Sequence, residues 1–443
     1  MKRDLTMLLC CPDCRADLTL RDETPERTEV ETGALECTRC GTSYPILRGI
    51  PRFVPSDAYV GSFSYEWNRW NKVQLDVANG RRESEETFAE KTGLTPDDLR
   101  GKLVLDVGCG AGRFLDVASR WGATVVGVDL SFAVEASQQS MGGRPNVSVV
   151  QADVFRLPFR DRSFDAIFSI GVLHHSRDTR EAFLKLPPLL KNGGDLAVWL
   201  YYYPDRLYCK ASDFWRAFLR PFPSWFAYAW CWMLVTLLSD LWAKPVMSTL
   251  PWGHLRRIIP VNTHPDRQWR ILDTFDWYTP RYQDKACSPP RVVGWCAEGG
   301  IRDVQVLSFQ TSIRGTRDEA GALPLVRWDV PDVRHRRVLV FGAGAAGRNA
   351  LRFLAAIAPG RVVGVVDNDP AKEGTTCEGV TVRRFASVPR DSYDLVVIAS
   401  LPGLVPIGAQ LREAGLMPNQ DYLAADQVEQ WYGLVVEYER IAA

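Results

Sequence analysis

The organisation of this chain follows from the stretch Lys102-Leu-Val-Leu-Asp-Val-Gly-Cys-Gly-Ala-Gly-Arg113. Its apolar half predicts a buried strand that ends at Asp106, and its glycines predict a turn into a helix. Glycine suits such a turn because it lets the backbone approach a ligand at the carboxyl end of the strand. The stretch therefore predicts an α/β fold that binds a ligand at this edge of its sheet.

Further strands follow at the spacing of βα units. Thr124–Asp129 ends in a carboxylate that can accept hydrogen bonds from both hydroxyls of a ribose. Val147–Gln151 leads into Asp153, whose carboxylate can meet the amino group of an adenine. Phe164–Gly171 runs into Val172-Leu-His-His175. Because parallel strands end at the same edge of a sheet, these side chains are expected to surround one site.

Taken in order, these strand ends resemble the class I S-adenosylmethionine-dependent methyltransferases, over about residues 60 to 310. A glycine loop alone would also suit a dinucleotide enzyme. The resemblance implies a doubly wound sheet and S-adenosylmethionine as cofactor. The cofactor contacts that it implies are Asp106, Gly108, Cys109, Gly110, Gly112, Asp129, Leu130, Asp153 and Val154.

The segment Phe63-Ser-Tyr-Glu-Trp-Asn-Arg69 resembles a part of such enzymes that folds over the methionine end of the cofactor. By this resemblance Tyr65 and Trp67 would lie near the sulfonium, which cation–π attraction favours. The alternative is that these aromatic side chains only pack on the sheet.

His174 and His175 follow the fourth strand, where a methyl acceptor should approach. An imidazole titrates near neutral pH, so either ring is a candidate catalytic base for the acceptor's proton, with His175 slightly favoured. The alternative is a structural histidine that bonds a backbone carbonyl near the cofactor.

Two Cys-x-x-Cys pairs near the start predict a metal site. Cys11, Cys14, Cys37 and Cys40 can place four thiolates around a tetrahedral Zn²⁺. Cys10 is the one neighbour that could exchange with Cys11. The run Tyr44–Pro51 that follows resembles small zinc-ribbon proteins that partner tRNA and protein methyltransferases. Residues 1–55 are therefore predicted to be a zinc ribbon, either purely structural or in contact with substrate.

An aromatic insertion is expected at about residues 201–285. No residue from Pro221 to Ser239 is charged, yet the prolines limit the clean helix to about fifteen residues, short for a bilayer span. We expect helices that form a lid over the active site. A lid this apolar suggests a large or lipid-linked acceptor or a peripheral membrane contact, and the alternative is burial against another domain or a second subunit.

The segments Asp273–Tyr282 and Gly299–Leu307 resemble the ending of bacterial methyltransferases of glycan and natural-product pathways. By this resemblance Asp276, Tyr278 and Tyr282 reach the acceptor pocket. The methyltransferase domain is thus expected to span residues 56–315.

A second βαβ pattern begins at Arg337. The run Phe341-Gly-Ala-Gly-Ala-Ala-Gly347 follows a strand, and the next strand ends at Asp367. Residues 335–443 are predicted to form a Rossmann-like domain similar to those attached to bacterial sugar-modifying enzymes. The domain is expected to be either a structural module or a binding module for a second nucleotide, with contacts from Gly342, Gly344, Gly347 and Asp367.

Composition narrows the function. Lys and Arg together number 53, as do Asp and Glu, so the chain has no net positive charge to attract a polyanion. This balance weighs against a nucleic-acid partner. We expect methyl transfer to a small molecule, a nucleotide-sugar, or a glycan or natural-product precursor. The expected location is the cytoplasm, either free or attached peripherally to the inner membrane, and the oligomeric state is undecided. An RNA methyltransferase with a zinc-ribbon recognition domain and a non-catalytic scaffold that retains the fold are the alternatives.

Overall fold

The structure, a computed structural model, describes residues 1–22, 28–54, 82–203, 206–244, 252–264, 266–307, 309, 311–318, 326–328, 333–400, 403–418, 420–425, 427–428 and 432. The chain divides into two compact units, Met1–Arg327 and Trp328–Ala443. The N-terminal region and the central sheet both belong to the first unit, and a second sheet forms the other.

The N-terminal region is a small antiparallel sheet that follows a single-turn helix at Arg3–Met7. Its strands are β1 (Leu18–Asp22), β2 (Thr32–Cys37), β3 (Ser43–Leu47) and β4 (Ile50–Pro51), paired in that order. Leu35, Ile46 and Ile50 are fully buried. Because this core is small, we expect the region to need its packing against the central sheet for stability.

The central sheet is built from β5 (Leu103–Val107), β6 (Thr124–Asp129), β7 (Val147–Gln151), β8 (Phe164–Ile170), β9 (Leu190–Trp199), β10 (Ile301–Val306), β11 (Ser312–Arg317) and β12 (Val326–Trp328). The strand order is β12-β10-β11-β9-β8-β5-β6-β7. Strands β5 to β9 are parallel, and β11 is antiparallel to both β9 and β10. The order reverses at β5, where α/β sheets open a crevice at their carboxyl edge. The predicted α/β architecture is confirmed.

Helices pack around this sheet: α1 (Glu83–Thr92), α2 (Pro96–Leu99), α3 (Arg113–Arg120), α4 (Val134–Met141) and α5 (Thr179–Leu184). The core between helices and strands is apolar and fully buried. Phe88 of α1 meets Phe168 of β8 edge to face, with ring centroids 4.9 Å apart. This contact fixes α1 beside the strand ends that carry the candidate site.

The aromatic insertion is helical: α6 (Arg206–Leu219), α7 (Ser224–Trp242), α8 (Trp252–Ile258) and α9 (Arg267–Tyr278) precede α10 (Pro289–Glu298). Helix α7 has 19 residues, longer than the sequence suggested. The reason is that Pro223 occupies the position before its first turn, where proline does not interrupt helical hydrogen bonds. Of the helices in the described part of the chain, none has the length and apolar character needed to cross a bilayer.

The C-terminal unit is a second, mostly parallel sheet. Its elements are β13 (Val338–Phe341), α11 (Ala345–Ile357), β14 (Val362–Val366), β15 (Thr376–Cys377), β16 (Val380–Arg383), β17 (Leu395–Ile398), α12 (Leu404–Glu413) and β18 (Tyr422–Ala424). The order is β15-β16-β14-β13-β17-β18, and β15 alone of these pairs antiparallel. A strand–turn–helix unit at Val338–Ile357 is present as the sequence predicted.

Candidate active site

A cavity of about 440 Å³ opens at the carboxyl ends of β5, β6 and β8. One end is lined by the loop after β5 and by the ends of β6 and β7. The other end is lined by α1, β9 and α9 of the aromatic insertion. The cavity thus joins the predicted cofactor residues to a second compartment.

The glycine loop wraps tightly around the first end. Gly108, Gly110 and Gly112 have φ values of 85°, 50° and 93°, a region that side-chain-bearing residues rarely adopt. A Cβ atom on Gly108 would lie 2.3 Å from Cγ1 of Val172. Both constraints require glycine, and together they leave the backbone of Gly108, Cys109 and Gly110 facing the cavity.

Asp129 stands beside this loop, as the sequence predicted. Its Oδ2 accepts a hydrogen bond from the Gly110 amide at 2.9 Å, and its Oδ1 accepts one from the Ser131 amide at 2.8 Å. Asp129 and Leu130 both line the cavity. The carboxylate is therefore held rigidly at the cavity wall by the backbone on either side of it.

Asp106 lies under the loop, outside the cavity lining. It is 2% exposed, and its Oδ2 has no hydrogen-bond partner among the described residues. Burial, followed by the negative charge of Asp129, raises the pKa of Asp106 well above its usual range. The contact of Asp106 with the cofactor, which the sequence predicted, therefore stays a prediction.

The end of β7 forms the part of the cavity wall where the sequence predicts a contact with an adenine. Ala152 and Val154 line the cavity, whereas Asp153 between them uses Oδ1 to accept the Phe155 amide at 3.0 Å. Asp153 therefore caps a short helical turn and stands next to the cavity wall. Its predicted contact with an adenine stays a prediction.

The two histidines occupy different environments. His175 lines the cavity, and its Nδ1 lies 3.1 Å from the carbonyl oxygen of Tyr282. Burial lowers the pKa of His175 to about 4, so its ring is neutral at pH 7 with the proton on Nδ1 and Nε2 as an acceptor. His174 is fully buried outside the cavity lining and stacks on Tyr201, with ring centroids 3.7 Å apart. Of the pair, only His175 can face a ligand in this cavity.

The second end of the cavity combines charge with aromatic walls. Asp273 and Asp276 of α9 line it together with Tyr201, and Lys91 of α1 lies opposite on the Trp199 ring, 3.3 Å from Nζ to the centroid. Burial raises the pKa of Asp273 to about 6 and that of Asp276 to about 7. Burial also lowers the pKa of Lys91 to about 7. Three groups that titrate near neutrality thus share one compartment, a pattern typical of functional sites.

The sequence reasoning missed Lys91 and Asp273 as site residues. Lys91 sits in a polar helix, and no local motif distinguishes it from a solvent-exposed lysine. Asp276, which was expected at the acceptor pocket, lines the cavity, and its contact with an acceptor stays a prediction. Tyr278 is instead fully buried, with its hydroxyl donating to the Pro260 carbonyl, and Tyr282 contributes its carbonyl to His175. Tyr65 and Trp67 lie outside the described residues.

The four predicted thiolates come together at the tip of the N-terminal sheet. The sulfur atoms of Cys11, Cys14, Cys37 and Cys40 all lie within 4.8 Å of one another. Backbone amides of Cys40 and Arg39 donate to the Cys37 sulfur, and these bonds, with that of Cys40 as the largest cause, lower its pKa to about 6. Four sulfurs in this spacing fit the donor set of a tetrahedral zinc site.

The N-terminal sheet packs directly on the edge of the central sheet. The Phe53 amide donates to the Gln151 carbonyl at 2.8 Å, and the Cys10 amide donates to the Pro158 carbonyl at 2.9 Å. Arg52, which is 7% exposed, donates from Nη1 to Oε1 of Gln151 and from Nη2 to Glu135. This interface adjoins β7, whose end forms the cavity wall.

In the C-terminal unit the glycine turn and the acid are also adjacent. A Cβ atom on Gly347 would lie 1.9 Å from the Gly342 carbonyl oxygen, so the helix and the turn pack too closely for any residue but glycine at this position. Asp367 accepts the Ala343 amide at 2.8 Å through Oδ2. The same oxygen receives Nζ of Lys372 at 2.9 Å. Gly344 has open space around its Cα, and a bound nucleotide here stays a prediction.

Comparisons with known families match separate parts of the chain. The methyltransferase domain family matches residues 105–198, the Trm112p-like protein family matches residues 2–49, and the C2185-like N-terminal family matches residues 334–420. The first two matches agree with the expected methyltransferase fold and ribbon. They leave open the likeness of the C-terminal unit to domains of sugar-modifying enzymes.

Individual relatives match about a quarter to a third of the chain. Demethylmenaquinone methyltransferase of Thermobifida fusca is 33% identical over 134 residues, which cover 30% of this chain and 56% of that protein. Phosphoethanolamine N-methyltransferase 1 of Zea mays is 34% identical over 125 residues, 28% of this chain and 24% of that protein. The tRNA U34 carboxymethyltransferase of Pseudomonas fluorescens is 37% identical over 105 residues, 23% of this chain and 33% of that protein.

The chain thus spans about half, or less, of the length of these relatives, and their printed acceptors differ from one another. The family match at residues 105–198 covers the glycine loop, Asp129 and the strand ends that form the first end of the cavity. Residues 105–198 are a methyltransferase domain of the S-adenosylmethionine-dependent class.

Proposed function

We propose that the chain transfers a methyl group from S-adenosylmethionine to a small molecule, with a nucleotide-sugar or a glycan or natural-product precursor as the preferred class. The observation that carries this proposal is the single cavity that joins the glycine loop and Asp129 to a walled compartment with Lys91, Asp273 and Asp276. A compartment enclosed by aromatic side chains with a few ionisable groups is typical of small-molecule sites.

The first end of the cavity would hold the cofactor, which supplies an electrophilic methyl group when bound. Asp129 would accept hydrogen bonds from the ribose, because its carboxylate is already fixed at the cavity wall. Leu130 and Val154 would flank the adenine, with Asp153 nearby. The backbone of Gly108 and the other loop residues, Cys109, Gly110 and Gly112, would approach the amino-acid part, above Asp106.

At the second end, Asp276 is our candidate for the group that removes the acceptor's proton. Its pKa of about 7 matches a base that works near neutral pH, whereas His175, with a pKa of about 4, is a weaker base. His175 would instead accept a hydrogen bond through Nε2 and orient the acceptor. His174 lies behind Tyr201 and would support that ring. Methyl transfer then depends on alignment of the acceptor with the cofactor and on proton removal.

For the ribbon we propose a bound Zn²⁺ at Cys11, Cys14, Cys37 and Cys40 that stabilises the small sheet. The Trm112p-like match and the spacing of the sulfurs support this proposal. The ion would contribute to folding rather than to catalysis, because the cluster is at the ribbon tip and none of its four cysteines lines the cavity. A cytoplasmic location, where thiols stay reduced for metal binding, is part of the same proposal.

For the C-terminal unit we propose a nucleotide-binding role, supported by the turn at Gly342, Gly344 and Gly347 beside Asp367. A nucleotide-sugar recognised there would agree with methylation of a sugar. Lys372, which pairs with Asp367, would supply a positive charge near phosphate groups.

RNA methylation is the second candidate, and two observations favour it. The ribbon matches the Trm112p-like family, and several relatives are named as tRNA-modifying enzymes. The balanced charge of the chain and the walled acceptor compartment favour a small molecule instead.

A labelling experiment separates the two candidates. The full-length protein is incubated with methyl-labelled S-adenosylmethionine and either total tRNA or a nucleotide-sugar and small-molecule extract. We expect label in the small-molecule fraction, and none of it when Asp276→Asn replaces the wild type. Label recovered in tRNA alone would support the RNA candidate, and binding of the cofactor with no transfer to either pool would favour the scaffold.

A further inference from the structure

Helix α7 exposes an apolar face along its whole length. Trp225 and Leu237 are 63% and 66% exposed, and they belong to a helical stripe. The exposed members of this stripe are Trp225, Ala229, Trp232, Met233, Thr236, Leu237, Asp240 and Leu241. From Trp225 to Leu241, at a rise of 1.5 Å per residue, the stripe is about 25 Å long. Isolated exposed apolar residues are ordinary, but a helical face that is mostly apolar, interrupted by Thr236 and Asp240, indicates something that covers it.

The turn between α6 and α7 extends this face. Phe214 is 62% exposed, and the Phe218 and Phe222 rings are in contact, with centroids 5.7 Å apart. Phe222 stacks in turn on Phe226 at 4.4 Å. The result is an aromatic cluster at the tip of a helical hairpin. Arg220 lies exposed within the same turn.

The opposite face of α7 is already used for packing. Cys231, Val235 and Trp242 are buried against α9, where Phe275 and Tyr278 complete the core. The hairpin is therefore folded and anchored without its outer face. We call that outer surface, from Phe214 to Leu241, the aromatic face.

The charges around the aromatic face are mostly positive. From Arg206 to Ile258 the chain has seven Lys or Arg residues and two acidic ones, although the whole chain is balanced. Both acids are in ion pairs: Asp213 with Arg216 and Lys285, and Asp240 with Arg270. Four of the basic residues are exposed: Lys210 of α6, Arg220 and Lys244 at the two ends of α7, and Arg257 of α8.

We propose that the aromatic face docks on the surface of a bilayer that contains anionic lipid. Aromatic and leucine side chains would enter the interface between headgroups and acyl chains, while the surrounding cations would contact lipid phosphates. A second copy of the chain fits this surface less well, because a two-fold contact would bring the same set of cations together. The contact is peripheral, in agreement with the lack of a spanning helix among the described residues.

The position of α9 links this surface to the cavity. One side of α9 packs on α7 through Phe275 and Tyr278, and its other side presents Asp273 and Asp276 to the cavity. Docking would thus place two helices, α7 and α9, between the bilayer and the acceptor compartment. An amphiphilic acceptor could then be taken from the membrane, a consequence that rests on the proposed function.

Vesicle co-sedimentation of the full-length protein tests docking independently of catalysis. Vesicles of phosphatidylcholine alone are compared with vesicles that also contain phosphatidylglycerol. We expect sedimentation with the anionic vesicles, weakened by added salt, and at least about tenfold less partitioning for a Trp225→Glu, Leu237→Glu double variant. Met7→Glu, at a 70% exposed methionine of the ribbon, is the matched control and should sediment like the wild type.

Two further readouts make the test decisive. Titration with S-adenosylhomocysteine shows that the double variant is folded, since its substitutions lie outside the cavity lining. Light scattering reports self-association. Failure of the wild type to sediment, equal sedimentation with both vesicle types, or unchanged sedimentation of the double variant would overturn the proposal. A wild-type dimer that the double variant converts to a monomer, without vesicle binding, would assign the face to a second copy.

Discussion

Arg52 of the ribbon donates a hydrogen bond from Nη1 to the side-chain oxygen Oε1 of Gln151 at 2.7 Å. The side-chain nitrogen Nε2 of Gln151 in turn donates to the Leu130 carbonyl at 2.9 Å. Leu130 lines the cavity beside Asp129. The ribbon is thereby connected to the candidate cofactor site through two buried or half-buried hydrogen bonds. Since the Phe53 amide also bonds the Gln151 carbonyl, the end of β7 is held from two directions.

Replacing Arg52 should weaken cofactor binding although Arg52 does not itself line the cavity. In Arg52→Ala, Gln151 loses a charged donor, so the Leu130 wall is held less firmly. We expect the Kd for S-adenosylmethionine to rise about five- to tenfold, as for the loss of about 1 kcal/mol of coupling. Arg48→Ala is the control, because exposed Arg48 pairs with Glu135 and has no hydrogen bond to Gln151 among the described residues. Equal Kd values for the two variants in calorimetry would refute the connection.

Zinc retention should depend on Cys14 but not on Cys10. Cys14→Ser removes one of four thiolates, so the purified protein should lose its ion, and the melting temperature should fall because the metal contributes folding free energy. Cys10 is buried next to the ligand Cys11 but stands outside the cluster. Elemental analysis should therefore find about one zinc per chain in Cys10→Ser. A full complement of zinc in Cys14→Ser would rule out the four-thiolate site.

The rate of methyl transfer should rise with pH through about 7. Burial, with a smaller contribution from Asp273, raises the pKa of Asp276 to about 7, so the side chain is a neutral acid at pH 6 and an ionised base at pH 8. His175 is already neutral throughout this range and would give a flat profile. We expect Asp276→Asn to lower kcat by about a hundredfold or more and to abolish the rise.

Asp273→Asn serves as the control for that pH profile. It removes the charge that helps to raise the pKa of Asp276, so the rise in kcat should persist and move to lower pH. A rise unchanged in Asp276→Asn would assign the proton transfer to another group.

The C-terminal turn should tolerate alanine at Gly344 and reject it at Gly347. A methyl group at Gly347 would meet the Gly342 carbonyl oxygen at 1.9 Å, whereas at Gly344 it would find nothing within 4 Å. We expect Gly347→Ala to destabilise this unit by about 2–3 kcal/mol and Gly344→Ala by less than about 1 kcal/mol. Hydrogen exchange of the β13 and β14 amides measures both. Equal protection in the two variants would contradict the close packing of turn and helix.

Sequence reasoning placed the local motifs well. The glycine loop and Asp129 are separated by one βα unit, and such a unit has few ways to fold, so their contact was predictable. The cysteine cluster was predictable for the same reason, since two short turns joined by a hairpin meet at one end.

Contacts between distant segments were not predictable. Arg52 and Gln151 are 99 residues apart, and nothing in either segment encodes the other. Lys91 reaches the cavity only because α1 is fixed on β8 by Phe88. The exposed face of α7 could not be predicted for a different reason. The sequence of this helix is mostly apolar on all sides, so hydrophobic periodicity could not distinguish the packed side from the exposed one.

The central claim is that Asp129 and the glycine loop bind S-adenosylmethionine. Isothermal titration of the full-length protein with S-adenosylmethionine tests it, with Asp129→Ala compared with Asp367→Ala, the corresponding acid of the C-terminal unit. Two charged hydrogen bonds to a ribose predict that Asp129→Ala weakens binding about a hundredfold or more, and that Asp367→Ala binds like the wild type. Wild-type affinity in a folded Asp129→Ala variant, or no binding by the wild type, would contradict the account.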